Sequence, residues 1–132
     1  MMKLYHLSVL FCLALASCHS ADTELRTTIE NADSAVINYY GANDTTLSVT
    51  IVRDKKILDQ LTDQITNETA PNAGICGYDG SVHFFKQDSV AADIYFDMNN
   101  DSCRYFIYKE DGKAAASILS SDAKTLLQSL KK

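Results

Sequence analysis

Val90-Ala91-Ala92-Asp93-Ile94-Tyr95-Phe96-Asp97-Met98 decides the fold. Val90, Ala92, Ile94, Phe96 and Met98 alternate with Ala91, Asp93, Tyr95 and Asp97, which is the period of a strand with one buried face and one wet face. A strand of that kind belongs in an antiparallel sheet covered on one side only. Working outward, Ser81 to Lys86 is a second strand joined to it by a turn at Gln87-Asp88. Downstream, Cys103 to Lys109 and Lys113 to Leu119 flank Asp111-Gly112, the strongest short hairpin signal in the chain. These four segments predict a meander.

Upstream lie Ser34 to Tyr40 and Thr46 to Val52, both rich in β-branched and aromatic residues, with turn chemistry at Gly41-Ala42-Asn43-Asp44 between them. They read as a hairpin. In its second strand Leu47, Val49 and Ile51 alternate with Ser48 and Thr50, which predicts one buried face there. Three amphipathic stretches supply helices. Asp22 to Ala32 places Leu25, Ile29 and Ala32 on one side, and Asp54 can cap a helix that carries Ile57, Leu58, Leu61 and Ile65. Ser120 or Ser121 can cap a closing helix with an Ala123, Leu126, Leu127 and Leu130 stripe, and Lys131 and Lys132 suit its negative end. From Asn67 to Gly80 the Asn, Thr, Pro and Gly content predicts loop. The expected fold is a two-layer α+β domain, an antiparallel sheet of about six strands with two or three helices packed on one face.

The first residues are read differently. Lys3 gives a positive start, Leu4 to Leu15 is almost wholly apolar, and small residues lead into Cys18, which is the anatomy of a secretory signal. The apolar run is too short for the roughly 20 residues of a membrane span. Leu15-Ala16-Ser17-Cys18 resembles the lipobox of bacterial lipoproteins, in which the cysteine is lipidated on sulfur and becomes the new N-terminus after cleavage. The resemblance implies that residues 1–17 are a removed signal peptide, 18–22 a lipidated cysteine and short tether, and 23–132 a single domain. An ordinary secretory cleavage near Ala16 or Ser17 is the alternative.

The whole chain of 132 residues carries 12 Lys and Arg against 17 Asp and Glu, a formal charge of −5. Residues 1–17 contain one Lys and no acid, so the mature chain stands at −6. That balance argues against nucleic acid as a partner and favours a basic one. With Cys12 lost and Cys18 lipidated, Cys76 and Cys103 remain in a compartment that permits oxidation, and a disulfide between them is expected. It would close a loop of about 27 residues, a contribution of ~3 kcal/mol on a chain-entropy basis. A metal pair or a reactive thiol is the competing reading, and neither cysteine lies in a C-x-x-C arrangement or beside a histidine. In a meander the strand starts near Ser81 and Cys103 are separated by the Val90 strand, about 10 Å, so the loop with Gly74, Gly77 and Gly80 must fold back for the bond to form.

No cofactor motif and no catalytic signature is found in the mature chain. Asp97-Met98-Asn99-Asn100-Asp101 places oxygen ligands as an EF-hand loop begins, but Ser102 replaces the required Gly and Tyr108 the bidentate Glu, so no metal is assigned. His83 shares a strand face with Ser81 and Phe85 and reads as a surface histidine, there being no G-x-S-x-G or similar setting for a nucleophile. Tyrosine is the amphipathic ring that interfaces favour, and Tyr95 stands between Asp93 and Asp97 on the wet face. The candidate binding surface is therefore Asp93, Tyr95 and Asp97 with His83 and Arg104.

Cys76 to Phe85, then Cys103-Arg104-Tyr105-Phe106 and a Ser-capped terminal helix, resemble small uncharacterised lipoproteins of the Bacteroidetes group. The pattern is loose and implies no activity. In that group Asp followed by Ser or Thr and an apolar residue or Thr can mark O-glycosylation, which makes Thr45 and Ser89 the candidates in turns. Residues after Cys18 lack the acidic run associated with surface export there, so the implied location is the cell envelope, lipid-anchored in the outer membrane and facing the periplasm, with surface exposure as the alternative. The expected function is a small lipid-anchored binding module for an envelope partner, with an inhibitor of a basic secreted enzyme as one version. The Ser-Gly-Ala-x-Tyr motif of known lipoprotein lysozyme inhibitors is not found. The alternative function is a small envelope hydrolase using His83 and nearby carboxylates.

Overall fold

The computed structural model describes residues 23–41, 43, 45–70 and 77–132. Residues 1–22, which hold the expected signal peptide, lipidated cysteine and tether, and Cys76 lie outside the described residues. Helix α1 (Thr23–Ile29) leads into strands β1 (Ser34–Tyr40) and β2 (Thr46–Val52), then helix α2 (Lys55–Ile65) and the short strand β3 (Thr69–Ala70). The meander β4 (Gly80–Lys86), β5 (Ser89–Asp97), β6 (Tyr105–Glu110) and β7 (Lys113–Ile118) follows, and helix α3 (Ser121–Leu130) closes the chain. The strands form one antiparallel sheet in the order β2-β1-β4-β5-β6-β7-β3, a two-layer α+β domain. Seven strands replace the expected six, because Thr69–Ala70 pairs with Ser117 and Ala116 inside the stretch read as loop. Two residues carry too little pattern to announce a strand.

The local chemistry explains the elements. Asp54 caps α2 by accepting the Lys56 N–H at 2.8 Å, and Ser120 caps α3 by accepting the Ala123 N–H at 3.1 Å. Asn31 follows α1 with φ 62°, the left-handed residue that commonly stops a helix. Gln87 and Asp88 have φ 50° and 66°, and Asp111 and Gly112 have 51° and 75°, so both tight hairpins use two residues of positive φ. Such turns match the natural twist of the strands they join.

One face of the sheet packs on the helices. Rows such as Tyr39, Gly80, Phe96 and Phe106, or Ile37, Val82 and Ile94, are aligned across neighbouring strands and are buried. Leu25 and Ile29 of α1, Leu58, Leu61 and Ile65 of α2, and Ala123 and Leu127 of α3 belong to the same core. Gly80 is required by that packing. A Cβ there would lie 2.2 Å from the Asn38 carbonyl oxygen and 2.4 Å from the Phe96 ring.

Two side-chain sets differ from the sequence reading. At β2, Val52 and Thr50 turn inward, opposite Ala35 and Ile37, while Leu47, Val49 and Ile51 stand outward with exposures of 65%, 49% and 49%. Alternation fixes that two faces exist but not which one meets the core. At β5, Val90 was expected inside and is 53% exposed. The cause is a β-bulge: Phe85 pairs with Val90 but Phe84 pairs with Ala92, so Ala91 is an extra residue and everything before it changes face. No helix among the described residues is long and apolar enough to cross a membrane.

Candidate functional site

The sheet face without helices carries the polar residues. Asn38 and Tyr40 of β1, Ser81 and His83 of β4, and Asp93 and Tyr95 of β5 project from it in register, with Asn38 beside Ser81, Ser81 beside Tyr95 and His83 beside Asp93. The bulge creates the last pairing. Lys86 opposite Ser89 would put His83 opposite Ala92 in an unbroken hairpin, and the extra Ala91 moves Asp93 into that place.

Ser81 is the hub of this network. Its Oγ lies 2.9 Å from His83 Nε2, 2.8 Å from the Tyr40 hydroxyl and 3.2 Å from Asn38 Nδ2, and His83 Nδ1 lies 2.5 Å from Asp93 Oδ1. With the Nδ1–H donating to the Asp93 carboxylate, Nε2 accepts the Ser81 proton and the Ser81 oxygen accepts from Asn38 and Tyr40. The one proton and both lone pairs of the Ser81 hydroxyl are used. The connectivity is that of a Ser-His-Asp relay, which sequence reasoning missed. Its signal was present as Ser81-x-His83 on one strand face, but the Asp93 partner depends on the bulge. Ser81 has 0% exposure, so no substrate carbonyl reaches its oxygen in this arrangement.

The network supports a tyrosine surface. Tyr95 meets the His83 ring edge-on at 6.5 Å and the Tyr78 ring at 5.0 Å. Tyr78 is held there by its neighbour. Asp79 Oδ2 accepts the Met98 and Asn99 N–H groups at 2.7 and 2.8 Å, and its carbonyl accepts the Tyr40 N–H at 2.7 Å. Asp97 Oδ1 accepts the Asn100 N–H, and the Asp79 and Asp97 carboxyls share a hydrogen bond.

The two carboxyls are driven apart in acidity. Burial, then the hydrogen bond and charge of Asp79, raise Asp97 against the opposing N–H bonds of Asn100 and Asn99. Burial also pushes Asp79 upward, but hydrogen bonds from the Asn99 and Met98 backbone and from the Asp97 and Asn99 side chains hold it below the usual value. Asp97 is therefore the proton donor of the pair. It is 5% exposed, which corrects its placement among surface binding residues: it clamps the Asp79 segment.

Between β5 and β6 the sheet opens. Only Tyr95, Phe96 and Asp97 pair with Ile107, Phe106 and Tyr105, although β5 begins at Ser89 and β6 continues to Glu110. The strands part beyond Tyr95 and Ile107, leaving a cavity of about 460 Å³. Leu25 of α1, Ala91, Ala92 and Ile107 give it an apolar lining, and the Tyr78 and Tyr95 pair forms one side. Glu24, Asp93, Glu110 and Asp111 bring four carboxylates to it against one base, Lys109. A cleft of this size with an apolar lining, aromatic rings and converging charge has the features of a ligand site. Its charge suits a cation, which the tyrosine faces also attract.

Asp93, Tyr95 and His83 are thus together, as the sequence predicts. Arg104 does not join them: it precedes β6, level with the end of β5 and about 16 Å along the strand direction from Asp93. Sequence reasoning missed Tyr78, Glu24 and Glu110, which arrive from a loop, a helix and a neighbouring strand. Cys103 is disulfide-bonded, and its expected partner Cys76 lies outside the described residues. Thr45 and Ser89, the candidate glycosylation positions, are exposed. No cluster of three or more His, Cys, Asp or Glu suited to a metal ion occurs among the described residues. No family model, curated protein or solved structure matches the chain.

Proposed function

We propose that this protein is a lipid-anchored lipoprotein of the bacterial cell envelope that binds a basic partner with the open face of its sheet. Anchoring is supported by Leu15-Ala16-Ser17-Cys18 after a positively started apolar run. The observation that carries the binding role is the cleft between β5 and β6, where four carboxylates and the Tyr78 and Tyr95 pair surround an apolar lining. A Lys or Arg side chain fits such a place, its stem on the alanines and its charge among the carboxylates. The acidic chain steers a basic partner toward it. The Cys76–Cys103 bond would tie the loop that presents Tyr78 to the turn before β6.

A second reading is favoured by one observation, the Ser81, His83 and Asp93 chain of hydrogen bonds, which would serve a hydrolase. The burial of Ser81 and its two further hydrogen bonds weigh against it. The same chain holds His83 rigid beneath Tyr95, which is what a binding face requires.

One experiment separates these readings. A photo-crosslinking residue is placed at Tyr95, or as control at exposed Gln128 on α3, in the full chain in its native envelope. The expected result is a discrete protein adduct from position 95 alone, weakened by added salt and absent in Cys18→Ser, which also loses labelled palmitate. Equal adducts from both positions, or an ester-cleaving activity lost in Ser81→Ala with folding unchanged, would overturn the binding reading.

A further inference from the structure

The sheet has two edges of different kinds. At one end β3 offers two residues, which is too little for another strand to pair with. At the other end β2 offers seven, Thr46-Leu47-Ser48-Val49-Thr50-Ile51-Val52, with no strand beyond it among the described residues. Natural edges of that length are blunted by lysines, prolines or bulges that spoil pairing. Here no charge and no proline occurs in the strand, and the one irregularity, at Leu47 opposite Tyr39 and Tyr40, lies near its start. The outward backbone groups of β2 can be satisfied by water or by another extended chain. Leu47, Val49 and Ile51 beside them stand exposed, next to Val36 of β1, which pairs with Ile51.

We propose that β2 pairs with β2 of a second copy of this chain, antiparallel and about a two-fold axis at Val49. The strand is nearly self-complementary about that residue. The axis sets Val49 opposite Val49, Leu47 opposite Ile51, and Ser48 opposite Thr50, so outward apolar residues meet outward apolar residues. Moving the axis to Thr50 would set Leu47 opposite Arg53 and lose that match. Charge selects the same edge. Two acidic copies repel over most of their surface, and β2 is an uncharged strip on which they can meet. The product is a continuous sheet of two copies with both open faces on one side. Both β5 and β6 clefts then face the same way, at the far ends of the pair, and a repeated basic partner could engage both.

Cysteine crosslinking in the full chain in its native envelope tests the register. Residues opposite one another across an antiparallel pair have Cα atoms about 4.5 or 5.5 Å apart, within disulfide reach. Val49→Cys should oxidise to a covalent dimer at a level about tenfold above Gln128→Cys on the exposed side of α3, since only the former brings the two sulfurs within reach. Co-expressed Leu47→Cys and Ile51→Cys, carrying different tags, should form the mixed dimer. All three β2 positions are exposed, so these substitutions leave the core intact. Val49→Cys that oxidises no more than Gln128→Cys overturns the proposal, and so does a Leu47→Cys and Ile51→Cys mixture that gives no mixed dimer.

Discussion

At the β2 end of the open face Leu47, Val49 and Ile51 stand exposed on a strand without charge, whereas at the β5 and β6 end Glu24, Asp93, Glu110 and Asp111 surround tyrosines and alanines. Both ends belong to one sheet, but α1 reaches only the second, where Glu24 and Leu25 line the cleft. Their backbones differ. β2 is an edge regular from Ser48 to Val52, whose hydrogen-bonding groups suit another strand, while β5 and β6 part and leave a cavity of about 460 Å³ between them. On the proposed readings, the difference gives one sheet face two separate kinds of recognition. Strand pairing recognises extended backbone of uncharged pattern, and a charged cleft recognises a particular side chain.

The largest effect expected from breaking this comparison comes from neighbouring residues on opposite faces of β5. Phe96 is fully buried and lies against Tyr39 at 6.0 Å, so Phe96→Ala should cost about 3 to 5 kcal/mol of stability. Tyr95→Ala on the open face should cost about 1 kcal/mol or less, yet remove binding of a lysine peptide at the cleft. Thermal or denaturant unfolding of both variants checks the contrast. Equal destabilisation would mean that Tyr95 belongs to the structural core.

A smaller effect concerns the carboxyl pair that positions Tyr78. Asp97 is raised in the folded state, so the stability it contributes is complete below the ordinary carboxylate range and is lost as pH rises through its raised value. Asp79 is lowered, so its contribution is present above the ordinary range and is lost as pH falls through its lowered value. The clamp is strongest between the two. Asp97→Asn supplies a permanent donor to Asp79 and should abolish the loss of melting temperature expected of the native protein as pH rises through the raised Asp97 value. Parallel melting profiles for the two proteins would show that Asp97 does not carry the proton.

Much of this fold was legible because its signals are local. Asp54 and Ser120 cap helices, Asp111-Gly112 turns a hairpin, and the apolar stripe of α2 faces the core, each decided within a few residues. The misreadings all depend on what lies across the sheet. Val90 changes face because Ala91 bulges against Phe84 and Phe85, and nothing in the strand's own alternation announces an insertion. Leu47, Val49 and Ile51 turn outward because Val52 and Thr50 pair with the inward residues of β1, and Thr50 Oγ1 donates to the Leu130 carbonyl at the end of α3. The short β3 exists only because α2 carries the chain from the β2 edge to the β7 edge. Of the site, Asp93, Tyr95 and His83 could be read from one face of two strands. Tyr78 and the acids of α1 and β6 could not, since they meet only when β5 and β6 part.

The central claim is that the acidic, tyrosine-lined end of the open face binds positive side chains. Its most direct test is a methyl NMR titration of the mature protein in neutral detergent micelles with a peptide of alternating lysine and glycine, against the glutamate equivalent. The lysine peptide should shift Ala91, Ala92, Ala114 and Ile107, with the shifts shrinking as salt is added and the β2 methyls of Leu47 and Val49 unmoved. Shifts caused equally by the glutamate peptide, or confined to β2, would contradict it.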